Sequence, residues 1–500
     1  MADDANPTRR PSDPSRIVCW DAAELSAAIR DRVVSCVEVM TAYLDHIDEI
    51  NPKVNAIVSL RPRVDLVAEA AEKDRLLRAG RHQGWMHGFP HAVKDLADVA
   101  GIPTTHGFLL GAFAPAAATT DALFVERIRA AGAIFIGKTN TPEFGLGSHT
   151  YNEVFGTTLN AYDRSRSAGG SSGGGAVAVA LRMVPVADGS DFMGSLRNPP
   201  GWNNVFGLRP SVGRVPHFGG EQFVSQAGVI GPIARTATDL ALLLETMSGY
   251  DDRSPLSIPG HATFAAGLDG SVHGKKVAWL GDLGGYLPME PEVLEIGQAA
   301  LSDLAALGMT VTTLDDLPSA GTFAGNHSLW PTWLVFRHWL SGMALKPTYD
   351  IPEARALMKP EALYEVDGLR GIDAVAVHQA NAARSDMYEG FRVLFQTFDY
   401  VVLPTAQVMP FDTSLRWPQV IGEAAMTSYH RWMEVSTIAT LINAPALAMP
   451  AGFGKDGLPI GLQVIGPHHG EHELLRLARA WEQLTGWVHR RPPGQLRSEY

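Results

Sequence analysis

Residues 168–180 read AGGSSGGGAVAVA: two adjacent serines set among glycines, running into a small-residue apolar stretch. Glycine lets a backbone take left-handed dihedrals and approach a neighbour closely. The run therefore admits three readings: a cradle for a phosphate, the seat of a nucleophilic serine, or a flexible loop. What surrounds it decides between folds. NAYDRSRSA before it is a loop, GAVAVALR fits a short helix packed closely on a sheet, and MVPVADGS beyond fits a strand.

The same strand and helix signals continue in both directions. Asp21 caps the helical DAAELSAAIRD, and Ser35 with Glu38 makes a capping box for SCVEVMTAYLDHIDEI. A helical pattern covers about 63–79, HAVKDL (91–96) reads as a short buried strand, and TDALFVERIRAAG is a helix that stops at Gly132 before the strand AIFIG. Further on come helix 237–249, strand KKVAWLGD, helix 291–307 and strand MTVTTL. DYVVLPTA, PALAMPAG and PIGLQVIG follow as strands, and 470–485 as the last helix. Such alternation predicts an α/β architecture with a largely parallel or mixed sheet covered on both faces. No linker, charge block or repeat divides the chain, so residues 17–490 are expected to form one domain. The polar, proline-rich residues 1–16 are expected to be a disordered tail, and 318–375, the least regular stretch, an inserted cap or lid.

Composition narrows the chemistry. Of 500 residues, 46% are hydrophobic and 19% charged, ordinary for a soluble protein. Lys and Arg number 41 against 53 Asp and Glu, a formal charge of -12. That balance argues against nucleic acid as the main partner, because polyanion affinity comes from basic side chains. Cys19 and Cys36 are too few for a disulfide framework or a zinc cage, so no metal is expected. No apolar run reaches about 18 residues, so no membrane span is expected, nor is a signal-peptide core evident. A cytoplasmic enzyme or binding protein, monomer or homodimer, is the resulting expectation.

Several familiar motifs fit poorly. GAIFIGKT (132–139) satisfies the P-loop pattern letter for letter, yet its middle is a strand and TNTPEF follows where a helix should begin. Gly173-x-Gly175-x-x-Ala178 fits the dinucleotide fingerprint, with Asp188 or Asp191 as acidic partner, but a loop precedes it instead of a strand. G-x-S-x-G occurs around Ser171 and again around Ser172, without the single sharp strand-to-helix turn of a nucleophile elbow. HHGEH (468–472) lacks metal-ligand spacing and reads as a solvated helix start.

Three separate segments agree better. GFPHAVKD places Lys94 inside an apolar strand, where burial disfavours its charge; alone, it could equally be a lysine snorkelling from a strand end. The glycine run carries Ser171, and DGSDFMGSLRNP carries Ser195 directly after a strand. Together they resemble the amidase signature family. Similarity extends through GKTNTPEFGLGSHTYNEVFGTTLN, GWNNVFGLRPSVGRVP and PALAMPAGFGKDGLPIGLQVIGP, from about 20 to 485 and strongest over 85–235.

The resemblance implies one mixed, mostly parallel sheet of about eleven strands between helices, and no cofactor. It implies Ser195 as nucleophile, Ser171 as a bridging serine preceded by a cis Gly170–Ser171 peptide, and Lys94 as the base. Backbone N–H groups of Phe192, Met193, Gly194 and Ser195 would meet the developing oxyanion. Here the chain departs from the family, whose D-T-G-G-S is Asp191-Phe192-Met193-Gly194-Ser195. Two small residues have become large, which either changes the turn at Met193 or builds an apolar wall. Asp191 and Arg197 read as an ion pair bracing the loop.

Phe192, Met193, Gly170, Trp330 and Trp333 are candidate pocket residues; the aromatic-rich NHSLWPTWLVFRHWL and RWPQVIGEAAMTSYHRWMEV are otherwise ordinary helix-packing faces. The expected activity is hydrolysis of apolar or aryl amides, anilides or carbamates (urethanes) through an acyl-enzyme, with esters as further substrates. The alternatives are an amidotransferase A-type subunit that releases ammonia from glutamine, and, in another class, a nucleotide-binding protein using 132–139.

Overall fold

The computed structural model describes residues 14–110, 117–224, 226–260, 263–494 and 496. Two sheets of eleven strands in all frame the molecule. Strands β1 (Ile57–Val58), β2 (Pro90–Lys94) and β3 (Ile134–Thr139) make the smaller, ordered β1-β3-β2, with β2 parallel to β3. The larger holds β4 (Ala187–Asp191), β5 (Phe206–Arg209), β6 (Val229–Ala234), β7 (Lys276–Trp279), β8 (Thr310–Thr313), β9 (Tyr400–Pro404), β10 (Ala446–Phe453) and β11 (Pro459–Ile465). Its order is β8-β7-β9-β11-β10-β5-β6-β4. With helices against these sheets the class is α/β.

Two details of the sheet differ from the expectation. The main sheet has eight strands rather than about eleven. Only the β7–β8 and β7–β9 pairings in it are parallel; the remaining neighbours are antiparallel. Strands β5 and β6, which carry glycine and proline amid their apolar residues, supply much of that antiparallel pairing. One apolar row crosses the sheet centre: Leu447 pairs with Val464 on one side and Leu208 on the other, all 0% exposed. Burying a side chain of this size contributes about 1.5–3 kcal/mol.

The two sheets abut where β2 lies beside β4. The Asp188 carboxylate on β4 accepts from the Lys94 backbone N–H (3.2 Å) and pairs with His91 Nε2 (3.1 Å). Over this seam lies the helix Gly173–Ala180, buried along its whole length. Its glycines make that seat possible: a Cβ at Gly174 would stand 2.4 Å from the Asn140 backbone nitrogen. The opening run is thus neither phosphate loop nor flexible loop but a buried helix with a close-packed start.

Residues 1–13 of the expected tail lie outside the described residues, and Pro14–Cys19 forms a 3-10 helix rather than disordered chain. Segment 318–375 is helical where irregularity was expected, with Leu329–Arg337, a π-helical turn His338–Gly342, Met343–Tyr349, Pro352–Arg355 and Pro360–Asp367. Its prolines look like breakers in sequence, but Pro352 and Pro360 occupy first helical positions, where the missing N–H costs nothing. Leu345, Met358, Ala362 and Val366 from this segment share a small core with Phe108 and Leu146, so its helices hold the loop at 144–146.

Candidate active site

Lys94 ends β2, and its side chain runs beneath the glycine run with only 2% exposure. Its Nζ donates to Ser171 Oγ at 2.8 Å, Ser172 Oγ at 2.9 Å and Ser190 Oγ at 3.0 Å. Ser171 Oγ lies 3.0 Å from Ser195 Oγ. The three residues singled out in the sequence therefore form one hydrogen-bonded chain, and the Gly170–Ser171 peptide within it is cis. Ser172 and Ser190 complete the lysine's surroundings.

Burial pushes the Lys94 ammonium down to about 7, against the opposing pull of Asp188 and Asp191. A neutral amine has a free lone pair and can accept a proton from Ser171. Since hydroxyl hydrogens rotate freely, the chain can carry a proton from Ser195 Oγ through Ser171 Oγ to Nζ.

The turn 191–197 is built on Asp191, whose carboxylate accepts from the backbone N–H groups of Gly194 (2.9 Å) and Leu196 (3.0 Å). Arg197 grips the same carboxylate through Nε (3.0 Å) and Nη2 (2.9 Å), and Arg209 Nη1 lies 3.3 Å away; all three side chains are 0% exposed. Burial would raise the Asp191 carboxyl, but the two guanidiniums hold it well below the usual carboxylate range. Asp191→Ala leaves two buried cations uncompensated. It is expected to cost about 3–5 kcal/mol, read as a lowered denaturation midpoint in urea.

That anchor corrects one expectation. The Gly194 N–H is spent on Asp191 and is not available to an oxyanion, whereas those of Phe192, Met193 and Ser195 have no acceptor among the described residues. Positive φ in the turn falls on Gly194 (φ 87), not on Met193, so the bulky residue carries no left-handed strain. A Cβ at Gly194 would also come within 2.8 Å of Ser436 Cβ.

A cavity of about 130 Å³ opens beside Ser171 and Ser195. Leu96, Phe144, Leu146, Phe192 and Met193 give it apolar walls, while Arg337, Ser341, Tyr429 and His430 close another side. Gly170, Trp330 and Trp333, expected in the pocket, are not among its lining residues. Trp333 is fully buried behind Phe192, ring centroids 5.6 Å apart, and Trp330 stands 5.0 Å from the His430 ring. Any Cβ at Gly170 would strike the His149 backbone nitrogen at 2.8 Å. These residues support the lining rather than form it.

The polar side escapes a reading of the sequence because three distant segments make it. Arg337 donates to Glu365 Oε1 (3.0 Å) and to Tyr429 OH (2.7 Å), and Tyr429 OH in turn donates to Glu365. Burial would raise Glu365, but Arg337 beside it and His338 hold it down to about 2, so the pair is ionised and neutral overall. The Arg337 guanidinium also lies 4.9 Å over the Phe192 ring.

GAIFIGKT enters β3, and its Lys138 is buried, donating to Ala97 O and to Thr104 Oγ1 (2.9 Å). His472 of the HHGEH cluster binds the Ala266 carbonyl (2.7 Å), and among the described residues no group of three or more His, Cys, Asp or Glu is placed to hold a metal. Nor, among those residues, is any helix long and apolar enough to cross a membrane.

Residues 38–475 match the Amidase family. The chain belongs to the amidase signature family and is an amidohydrolase. It is 34% identical over 484 residues to an acylamidase of Rhodococcus erythropolis, covering 95% of this chain and 97% of that one. The A subunit of the glutamyl-tRNA(Gln) amidotransferase of Thermosynechococcus vestitus is 33% identical over 486 residues, covering 92% and 96%. Among solved structures, a bacterial aryl acylamidase of the amidase signature family superposes with a TM-score of 0.88 at 27% identity, over 95% of this chain and 98% of the other.

Proposed function

We propose that this chain hydrolyses uncharged amides bearing an apolar or aryl part, such as acyl anilides and aryl carbamates. The observation that carries this reading is the unbroken Lys94–Ser171–Ser195 chain opening into an apolar-walled cavity. Ser195 Oγ attacks the carbonyl carbon while its proton passes through Ser171 to neutral Lys94. The carbonyl oxygen, now an oxyanion, is met by the N–H groups of Phe192, Met193 and Ser195. Collapse expels the amine, which takes the proton back along the same route. Water then enters and attacks the acyl carbon as its proton passes to the relay, which returns that proton to Ser195 Oγ as the acid leaves.

Substrate class follows from the lining. Phe192 and Met193 occupy the turn with bulk, and the one guanidinium in the wall is already neutralised by Glu365. A charged substrate gains no free counter-ion from that pair. Likeness to amidotransferases supports a second reading, ammonia release from glutamine, whose zwitterionic substrate fits this lining less well.

A panel of acyl anilides, aryl carbamates, aryl esters, small aliphatic amides and glutamine separates the two. The best anilide or carbamate is expected to exceed glutamine in kcat/KM by about 100-fold or more. Faster turnover of glutamine or of small aliphatic amides would overturn the assignment.

A further inference from the structure

One side chain of the cavity wall, His430, carries a polar atom without a partner. His430 lines the cavity and is 3% exposed, and its Nε2 is buried with no hydrogen-bond partner among the described residues. Its other nitrogen is taken: Nδ1 lies 3.1 Å from Ser428 Oγ. The ring cannot easily turn to satisfy Nε2, since it is wedged between Trp330 (centroids 5.0 Å), Tyr429 (4.5 Å) and Tyr364 (6.0 Å). Trp330 is itself pinned by Arg431, 4.5 Å over its face. Arg337 and Tyr429, the neighbouring polar groups, are spent on each other and on Glu365. Burial lowers the imidazole to about 3; Arg337, His338 and Arg431 work in the same direction and Glu365 against it, so the ring is neutral.

A buried polar atom without a partner is costly, and on a residue of the cavity wall a bound molecule can supply the partner. We propose that His430 reads the substrate: its Nε2 pairs with a polar atom of the amide remote from the scissile bond, and the cavity prefers substrates with a hydroxyl, ether or carbonyl there over their hydrocarbon isosteres. The inference rests on the amidase reading of the same cavity. It gives His430 no part in proton transfer, which Lys94 and Ser171 already supply. A neutral ring suits an uncharged group, in keeping with the neutralised Arg337. A site built around an unpaired polar atom rejects a ligand lacking the complement more strongly than a greasy wall rejects a shape change.

The test uses the full chain and matched substrate pairs: 4-hydroxy against 4-methyl anilides, and hydroxyacetyl against propionyl anilides. For at least one pair, wild type is expected to favour the hydroxylated member by about tenfold or more in kcat/KM. His430→Phe, which keeps a ring but removes both nitrogens, should bring that ratio to near one. Two further variants separate recognition from packing. His430→Gln sets an amide near the Nε2 position and should keep the preference; His430→Asn sets it near Nδ1, beside Ser428, and should lose it. Methoxy members, which accept but cannot donate, report which nitrogen carries the proton.

A wild-type ratio near one for every pair overturns the proposal, as does an unchanged ratio in His430→Phe. Should His430→Phe fail to fold by thermal melting, equal ratios in the Gln and Asn variants overturn it instead. Failure of the anilide reading shows separately, as absent wild-type turnover of both members. The ratios are then read on hydroxylated and plain aliphatic amides.

Discussion

Ser195→Ala is expected to fold as wild type and to lose amide hydrolysis by about 10⁴-fold or more. The side chain is small, 7% exposed, and its hydroxyl meets Ser171 Oγ alone among the described residues. Its removal therefore disturbs little packing, and the melting temperature should stay within about 2 °C of wild type. What goes is the atom that attacks carbon, and no other hydroxyl can replace it. Ser171 is committed to Lys94 and Ser195, while Ser172 and Ser190 accept from the lysine. Labelling by a fluorophosphonate, followed by peptide mapping, checks the assignment without a known substrate. Wild type should carry the adduct on Ser195 and the variant none. Retained hydrolysis, or an adduct on Ser171 in wild type, would sink it.

Much of this arrangement is legible in the sequence. The capping pair Ser35 and Glu38 opens its helix as expected, the Ser35 hydroxyl accepting from the Glu38 N–H at 3.1 Å. Lys94 is conspicuous because a long cation in an apolar strand demands a reason, and the glycine run because so many missing side chains demand a close neighbour. Both features are local, and local features survive in a linear reading. What escapes is non-local or compensated. Arg337 and Glu365 lie 28 residues apart and Arg337 and Tyr429 lie 92 apart, so no window joins them. Gly194 has the look of an oxyanion donor in sequence, but the Asp191 side chain, three residues back, holds its N–H. Trp330 and Trp333 are large apolar residues near the site, yet a sequence cannot say which layer they occupy. The helices of 318–375 are hidden by prolines, of which Pro352 and Pro360 begin helices rather than end them.

The pH dependence of the wild-type enzyme should reveal the lysine. With its conjugate acid near 7, Lys94 is mostly protonated at pH 6 and mostly neutral at pH 8. A protonated amine cannot take the Ser171 proton, so kcat/KM should rise about tenfold per pH unit below that value and level off above it. Lys94→Ala should lower kcat/KM by about 10³- to 10⁴-fold and abolish the ascending limb. Lys94→Arg should not rescue, because a guanidinium stays protonated throughout. A small exogenous amine added to Lys94→Ala fills the vacated space and should restore part of the rate. The same group ties stability to pH. The unfolded chain keeps this proton up to the ordinary lysine value of 10.5, the folded chain only to about 7. Between those values the unfolded state binds the extra proton, so wild-type stability gains with rising pH relative to a Lys94→Met variant. Urea titrations of the two proteins across that window check the sign. A parallel response in both, together with an unchanged ascending limb in Lys94→Ala, would mean that another group is the base and that the lysine merely braces three serines.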